Sequence, residues 1–341
     1  MGPPLLDPLG LSYNRAVLDQ RLWTFLLDMT LVLLASKVFG ALAARLEQPP
    51  VLGELLGGLV LGCGLFGFFD PHAPGLELLA GTGVTLLLFE TGLESDFDGL
   101  RRAGPASMAV ACVGVAVPFL LGWALMRLTG AGAAASVFMG AALTATSVGI
   151  TARVLSDMGK LARPESQVIL GAAVIDDILG LAILAAVQGT VSWSGTALTV
   201  GAFLAGLLLA RTGRHGGVAE TLKPVSGLLI PVFFVLAGAK VGLVRFHPLL
   251  PGAWLLYAFS AALVALAVAG KVASGWAARG GGLNRLAVGV GMIPRGEVGL
   301  IFAQIGLASG VIDEALYSAL VAMVVATTFI TPPLLKRVFA D

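Results

Sequence analysis

The chain has 341 residues, 57% of them hydrophobic and 12% charged, with a mean hydropathy of +0.94. Soluble domains carry about 25% charged residues, so composition excludes a water-soluble globular protein and points to a polytopic membrane protein. A net charge of +1 leaves no bulk field that would attract nucleic acid.

Residues 1–21 include Pro3, Pro4, Asp7 and Pro8 and lack the continuous apolar core of a cleavable signal peptide, so they read as an external N-terminal segment. Beyond them, polar and Gly/Pro breaks divide the chain into about eleven apolar stretches, each long enough for a bilayer of ~30 Å. They run over 22–45, 51–69, 75–94, 104–128, 133–159, 165–189, 192–211, 217–243, 251–278, 283–308 and 312–338. Cys63 and Cys112 both fall in apolar stretches and read as packed thiols, not a disulfide framework. The chain stops at Asp341, just past its last apolar stretch, so no soluble regulatory domain is expected.

Loop charges orient these spans. Arg45, Arg101, Arg102, Arg153, Lys160, Arg163, Arg211, Arg214, Lys223, Arg279, Arg285, Lys336 and Arg337 fall on one side. The other side holds Arg15, Arg21, Arg127 and Arg245, with Lys240 ambiguous. An odd span count with the C-terminus cytoplasmic and the N-terminus outside accounts for this asymmetry.

An internal repeat is visible. PVLGELLGGLVLG from Pro50 resembles VGAFLAGLLLA from Val200, and LLLFETGLE, ending at Glu94, resembles PVFFVLAGAKVGL, ending at Leu243. The copies lie an odd number of spans apart, so they have opposite orientations, as in transporters built from inverted repeats with a midplane site. The first repeat covers 22–189 with six spans, and the second covers 192–338 with five.

Two spans read as broken helices. In GAALTATSVGITARV the hydroxyls of Thr144, Thr146, Ser147 and Thr151 interrupt the apolar run. In VGVGMIPRGEVGLIFA, Pro294 removes a backbone donor in mid-span, and Gly296 and Gly299 follow. Non-helical backbone at this depth is tolerated where it is buried or lines a cavity. Thr146 and Ser147 are candidate oxygen ligands for a hard cation, or hydroxyls bonded to a preceding carbonyl. Arg295 and Glu297 read as structural charges that neutralise helix ends.

The chemistry centres on GAAVIDDILGLAILA, where Asp176 and Asp177 sit side by side in an apolar span. Charges at membrane depth are costly and mark functional sites, and each acid disfavours ionisation of the other. They read as a cation- and proton-binding pair. Lys271, in AVAGKVASG, reads either as a charge partner or as a residue that snorkels toward Arg279 about two helical turns away. Glu54 reads as solvated near an interface, and Glu90 is left without a role. His72, His215 and His247 fall in loops and are not relay groups. No nucleophile–base pair, phosphate loop or metal-spaced Cys/His cluster suggests an enzyme.

TATSVGITARVLSDMGKL, VIDDILGLAIL, GAFLAGLLLA and VGMIPRGEVGLIFA, in that order, resemble bacterial sodium/proton antiporters of the NapA type, within the monovalent cation/proton antiporter superfamily. The resemblance covers nearly the whole chain and departs from the family in lacking two spans between the aspartate span and GAFLAG. It implies an all-α inverted-repeat transporter with two discontinuous helices crossing near the midplane of the cell membrane. A core domain (104–189 and 251–338) would move against a dimerisation scaffold (22–94 and 192–243) in a homodimer. It implies that Asp177 binds Na⁺ (or Li⁺) and H⁺ in competition, that Asp176 beside it pairs with Lys271, and that no cofactor is needed. A potassium/proton antiporter of the same fold is the first alternative. A relic or sensor that kept the site and lost the moving parts, as the shortened middle would allow, is the second.

Overall fold

The computed structural model describes residues 11–62, 66–94, 104–189, 193–211, 215–250, 252–280 and 282–340. Residues 1–10, Cys63, Arg101, Arg102 and Arg214 lie outside them. Among the described residues the regular structure is helical throughout, as apolar runs at membrane depth require when every backbone group must be satisfied internally. The α-helices are α1 (Leu11–Arg45), α2 (Pro50–Leu61), α3 (Pro74–Glu94), α4 (Gly104–Leu128), α5 (Ala133–Ala142), α6 (Val148–Asp157) and α7 (Pro164–Gly189). There follow α8 (Trp193–Ala210), α9 (His215–Ala239), α10 (Ala253–Ser274), α11 (Arg285–Gly291), α12 (Glu297–Ala308) and α13 (Glu314–Val338).

Local chemistry sets several of the boundaries. Pro50 and Pro164 open α2 and α7, where the missing N–H costs nothing. Asn284 and Asp313 accept hydrogen bonds from the amides of Ala287 (3.1 Å) and Leu316 (2.9 Å) and so cap α11 and α13. Among the described residues seven helices, α1, α3, α4, α7, α9, α10 and α13, are long and apolar enough to cross a membrane. Among its described residues, the stretch read as a span over 51–69 is helical only over Pro50–Leu61. The two stretches read as broken helices are indeed interrupted: α5 and α6 are separated by residues 143–147, and α11 and α12 by residues 292–296.

Helices α1, α2, α9, α3 and α8 pack in that order, each mainly on the next. In the rest of the chain α4 packs against α5, α7 and α10, while α13 packs against α10, α11 and α12. Two crossings in the first group are close enough to require glycine. A Cβ on Gly58 of α2 would lie 1.8 Å from the Val235 carbonyl oxygen, and one on Gly238 of α9 would lie 1.9 Å from that of Leu55. Where α3 meets α8, a Cβ on Gly206 would lie 2.1 Å from the Phe89 oxygen, and one on Gly92 would lie 2.2 Å from that of Phe203. The two crossings match partner for partner when α2 is laid on α8 and α3 on α9. Gly58 then falls on Gly206, Leu55 on Phe203, Phe89 on Val235 and Gly92 on Gly238.

Two readings of single residues change. Cys112 is exposed, because α4 buries the stripe Ser107, Val110, Ala111, Gly114, Pro118 and Cys112 lies off it. Glu54 is buried rather than solvated, on the face of α2 that meets α1, within range of the Lys37 charge.

Candidate ion site at the crossing of two broken helices

The two interruptions face each other and satisfy one another's backbone. The Ser147 amide donates to the Pro294 carbonyl (2.8 Å), so the break in one helix closes on the break in the other. The Thr151 hydroxyl donates to the Gly291 carbonyl (2.7 Å) at the end of α11. Gly296 leaves room for this approach, since a Cβ there would lie 2.6 Å from that of Ser147. Thr144, by contrast, bonds back to its own helix at Ala141 (2.7 Å).

Arg295 is fully buried and holds the crossing together. Its guanidinium donates to the carbonyls of Thr144 (3.2 Å), Ala145 (2.5 Å) and Ala267 (3.3 Å). The first two lie just past the C-terminal end of α5, where a cation compensates the exposed carbonyls and the helix dipole. The Arg295 carbonyl in turn accepts from Thr328 of α13 (2.9 Å). Sequence reasoning assigned Thr328 no role; the run of hydroxyls Thr327, Thr328 and Thr331 in an otherwise apolar helix was the available signal.

Asp176 and Lys271 meet. Lys271 Nζ donates to Asp176 Oδ1 at 2.9 Å, and both side chains are fully buried. Lys271 therefore does not snorkel. It lies where α10 packs on α4, close to Gly114, at which a Cβ would be in ordinary contact with Nζ at 3.6 Å. The other Asp176 oxygen, Oδ2, is buried without a protein hydrogen bond, and so is Oγ1 of Thr146 in the first break. Buried oxygens of this kind are normally satisfied by a partner, a water or an ion.

Asp177 is partly buried, and among the described residues no hydrogen bond or ion pair reaches its carboxylate. The charges of Glu297, Asp176 and Lys271 all act on it. Arg295 links the two sides of the site, bonding to the first break while its charge acts on Asp176. Glu297 opens α12 and accepts from the Ser147 hydroxyl at 3.4 Å, a long contact. Ser147, Arg295, Gly296 and Glu297 also line a cavity of about 260 Å³ that reaches α2 at Pro50 and Arg153 on α6. Neither aspartate lines it, but Glu297, which does, is near enough for its charge to act on Asp177. Glu90, left without a role above, accepts from Ser226 of α9 (2.5 Å), away from these residues.

The family model described as "Sodium/hydrogen exchanger, transmembrane" matches residues 30–199 and 189–340. The chain belongs to the sodium/hydrogen exchanger family. Its relatives within that family include the high-affinity Na(+)/H(+) antiporter NhaS3 of Synechocystis sp., 35% identical over 98% of this chain and 95% of the relative. The Na(+)/H(+)-K(+) antiporter GerN of Bacillus cereus is 32% identical over 92% of this chain and 96% of its own length. Among solved structures, the sodium proton antiporter MjNhaP1 from Methanocaldococcus jannaschii superposes with a TM-score of 0.68, covering 93% of this chain and 96% of that one at 13% identity, which establishes a shared fold. The exchanger family model meets the chain in two segments that join at 189–199, and the NhaS3 alignment runs over 440 positions against the 341 residues present here. NhaS3 thus carries residues that this chain lacks, and the two matched segments overlap from the last residue of α7 into the first turns of α8.

Proposed function

We propose that this protein is a secondary antiporter that exchanges Na⁺ (or Li⁺) for H⁺ by alternating access. The observation that carries the reading is the half-buried, unbonded Asp177 carboxylate beside the buried Asp176–Lys271 pair, at a point where two broken helices meet. A carboxylate at membrane depth holds a proton or a cation, because the bare charge is too costly to leave uncompensated. Proton and cation then compete for one place, and competition couples their movements. Asp176 Oδ2 and the Thr146 hydroxyl are oxygens available to a hard cation. Ser147 and Glu297 line the cavity and the Glu297 charge acts on Asp177, so Glu297 has a part in cation entry as well as in the crossing.

The loop charges support a topology with the N-terminus outside and the C-terminus cytoplasmic, in a multi-pass protein of the cell membrane. The cavity beside Arg153 then opens to the cytoplasm. The row α1–α2–α9–α3–α8 serves as a scaffold (22–94 and 192–243), and the remaining helices (104–189 and 251–338) form the core that moves against it. The paired glycine crossings support an inverted repeat that relates the halves of the scaffold. The protein works as a homodimer and as a transporter, not as an enzyme. Potassium/proton exchange has one observation in its favour, since the name of GerN includes K(+).

The test is transport in proteoliposomes loaded at a set internal pH. An inward Na⁺ gradient is expected to drive alkalinisation of the lumen, with Li⁺ also active. As external pH falls, the half-saturating Na⁺ concentration is expected to rise toward the competitive limit of about tenfold per pH unit. A response to K⁺ alone would move the assignment to potassium, and no response to any alkali cation would reject transport.

A further inference from the structure

The end of α9 on the side away from Arg153 is capped by side chains of α13. The last carbonyls of a helix lack partners within it. Here the Val241 amide donates to Gly238 (3.2 Å) rather than to Ala237. The Tyr317 hydroxyl fills the gap, donating to the Ala237 carbonyl at 2.7 Å. One residue on, the Ser318 hydroxyl accepts from the Gly242 amide at 3.0 Å and donates to Glu314 of its own helix at 2.6 Å. Tyr317 and Ser318 are both fully buried. Next to them a cavity of about 340 Å³ lies between α2, α9 and α13, and apart from Ser318 its walls are Leu, Val, Ala, Phe and Gly. Leu55, itself buried, lines both this cavity and the one beside Arg153 that reaches Glu297. The seam between α13 and the α2–α9 pair thus holds two cavities that share Leu55, one leading to the ion site and one apolar and capped. At the other end of α13, Lys336 meets Glu47 at 3.3 Å, but these side chains are 58% and 81% exposed, so water competes for both. A further cavity of about 600 Å³ between α3, α8, α9 and α12 is lined by Lys240 and Gln304 among others, and by no residue of either break.

We infer that Tyr317 and Ser318 are the latch of the outer gate: they hold core helix α13 on scaffold helix α9 while the ion site is open to the cytoplasm, and they let go when the site turns outward. The inference rests on the proposed antiporter with a core that moves against a scaffold, and it names the contact that must break. Both bonds cross from one body to the other, so a slide of one helical turn, ~5.4 Å, ends them. Water entering from outside then takes the Ala237 carbonyl and the Gly242 amide. Opening therefore exchanges hydrogen bonds rather than losing them, which keeps the latch reversible. The apolar seam around Leu55 supplies the barrier of the closed state, since a hydrated cation does not cross a dry constriction.

The experiment measures exposure from each side of the membrane, with single cysteines placed in a chain whose Cys63 and Cys112 are serine. Val321→Cys reports on the capped cavity and Ile150→Cys on the one beside Arg153. A membrane-impermeant maleimide labels position 321 in right-side-out vesicles and position 150 in inside-out vesicles. Tyr317→Phe keeps the ring and removes the latch bond. It is expected to speed labelling at 321 by up to about fivefold, the worth of one neutral hydrogen bond, and to slow labelling at 150. Adding Ser318→Ala should extend both changes. Labelling that rises on both sides means a loosened protein, and unchanged labelling means an ordinary packing contact; either result overturns the latch. In a second arm, Gly242→Cys combined with Ser318→Cys is oxidised in proteoliposomes, and Na⁺-driven exchange is expected to stop until a reductant restores it. Exchange that continues through the cross-link, or a pair that does not link, overturns the latch as well. A parent chain that moves no alkali cation before oxidation rejects the antiporter reading instead, a result on which the labelling does not depend.

Discussion

Asp177→Asn is expected to reduce Na⁺-driven proton movement in proteoliposomes to the level of empty vesicles while the protein still folds. The amide keeps the size of the side chain and removes the group that binds a proton. Asp177 makes no hydrogen bond or ion pair among the described residues, so the substitution breaks no native contact. It also removes a negative charge close to Asp176 and Glu297, so the melting temperature should hold or rise. Transport lost together with folding would say nothing special of Asp177. Transport lost at unchanged melting temperature assigns the exchange to this carboxylate, and substantial exchange by the mutant rejects it.

Lys271→Ala is expected to have the largest effect on stability. It leaves Asp176 in a fully buried position without its 2.9 Å partner. Breaking a buried ion pair from one side costs about 3–5 kcal/mol, because the remaining charge is uncompensated, whereas removing both charges is far less harmful. Lys271→Gln combined with Asp176→Asn should therefore recover much of the loss, and a double-mutant cycle on melting temperature in detergent measures the coupling. Additive losses would mean that the pair contributes nothing jointly. The same variants bear on electrogenicity. If Lys271 gives up its proton when Asp176 turns to the cation, two protons exchange per Na⁺. Transport is then coupled to the membrane potential by ~2.3 kcal/mol per charge per 100 mV. Exchange by the double mutant, measured with the potential clamped at two values, should lose that sensitivity.

Much of this architecture is legible in the sequence for a physical reason. A bilayer forces long apolar runs, so helices such as α4 and α10 announce themselves, and the few polar interruptions within such runs mark places where backbone or charge does something unusual. Pro294 and the hydroxyls around Thr146 located both breaks in this way, and Asp176 and Asp177 stood out against their surroundings. Partner identity is less legible. Asp176 and Lys271 lie far apart in sequence on different helices, and local pattern alone could not separate pairing from snorkelling. Arg295 had an acid two residues away, yet its guanidinium bonds to three carbonyls, two of them about 150 positions upstream. That choice depends on how the two breaks cross. Which face of an apolar helix is buried is hardest to read, because lipid and protein both favour apolar side chains; hence Cys112 is exposed and Glu54 is covered by α1. The shortness of α2 was hidden in the same way, since the apolar run continues beyond the point where its helix ends.

Competition between cation and proton at one carboxylate is the central claim, and proton release on cation binding tests it most directly. Purified protein in weakly buffered detergent solution is titrated with NaCl at fixed ionic strength, and the liberated protons are counted, with choline chloride as control. Saturable release in proportion to the protein is expected, declining at higher pH where the site is already deprotonated, and absent in Asp177→Asn. Saturable Na⁺ binding without proton release, or undiminished release from Asp177→Asn, would contradict it.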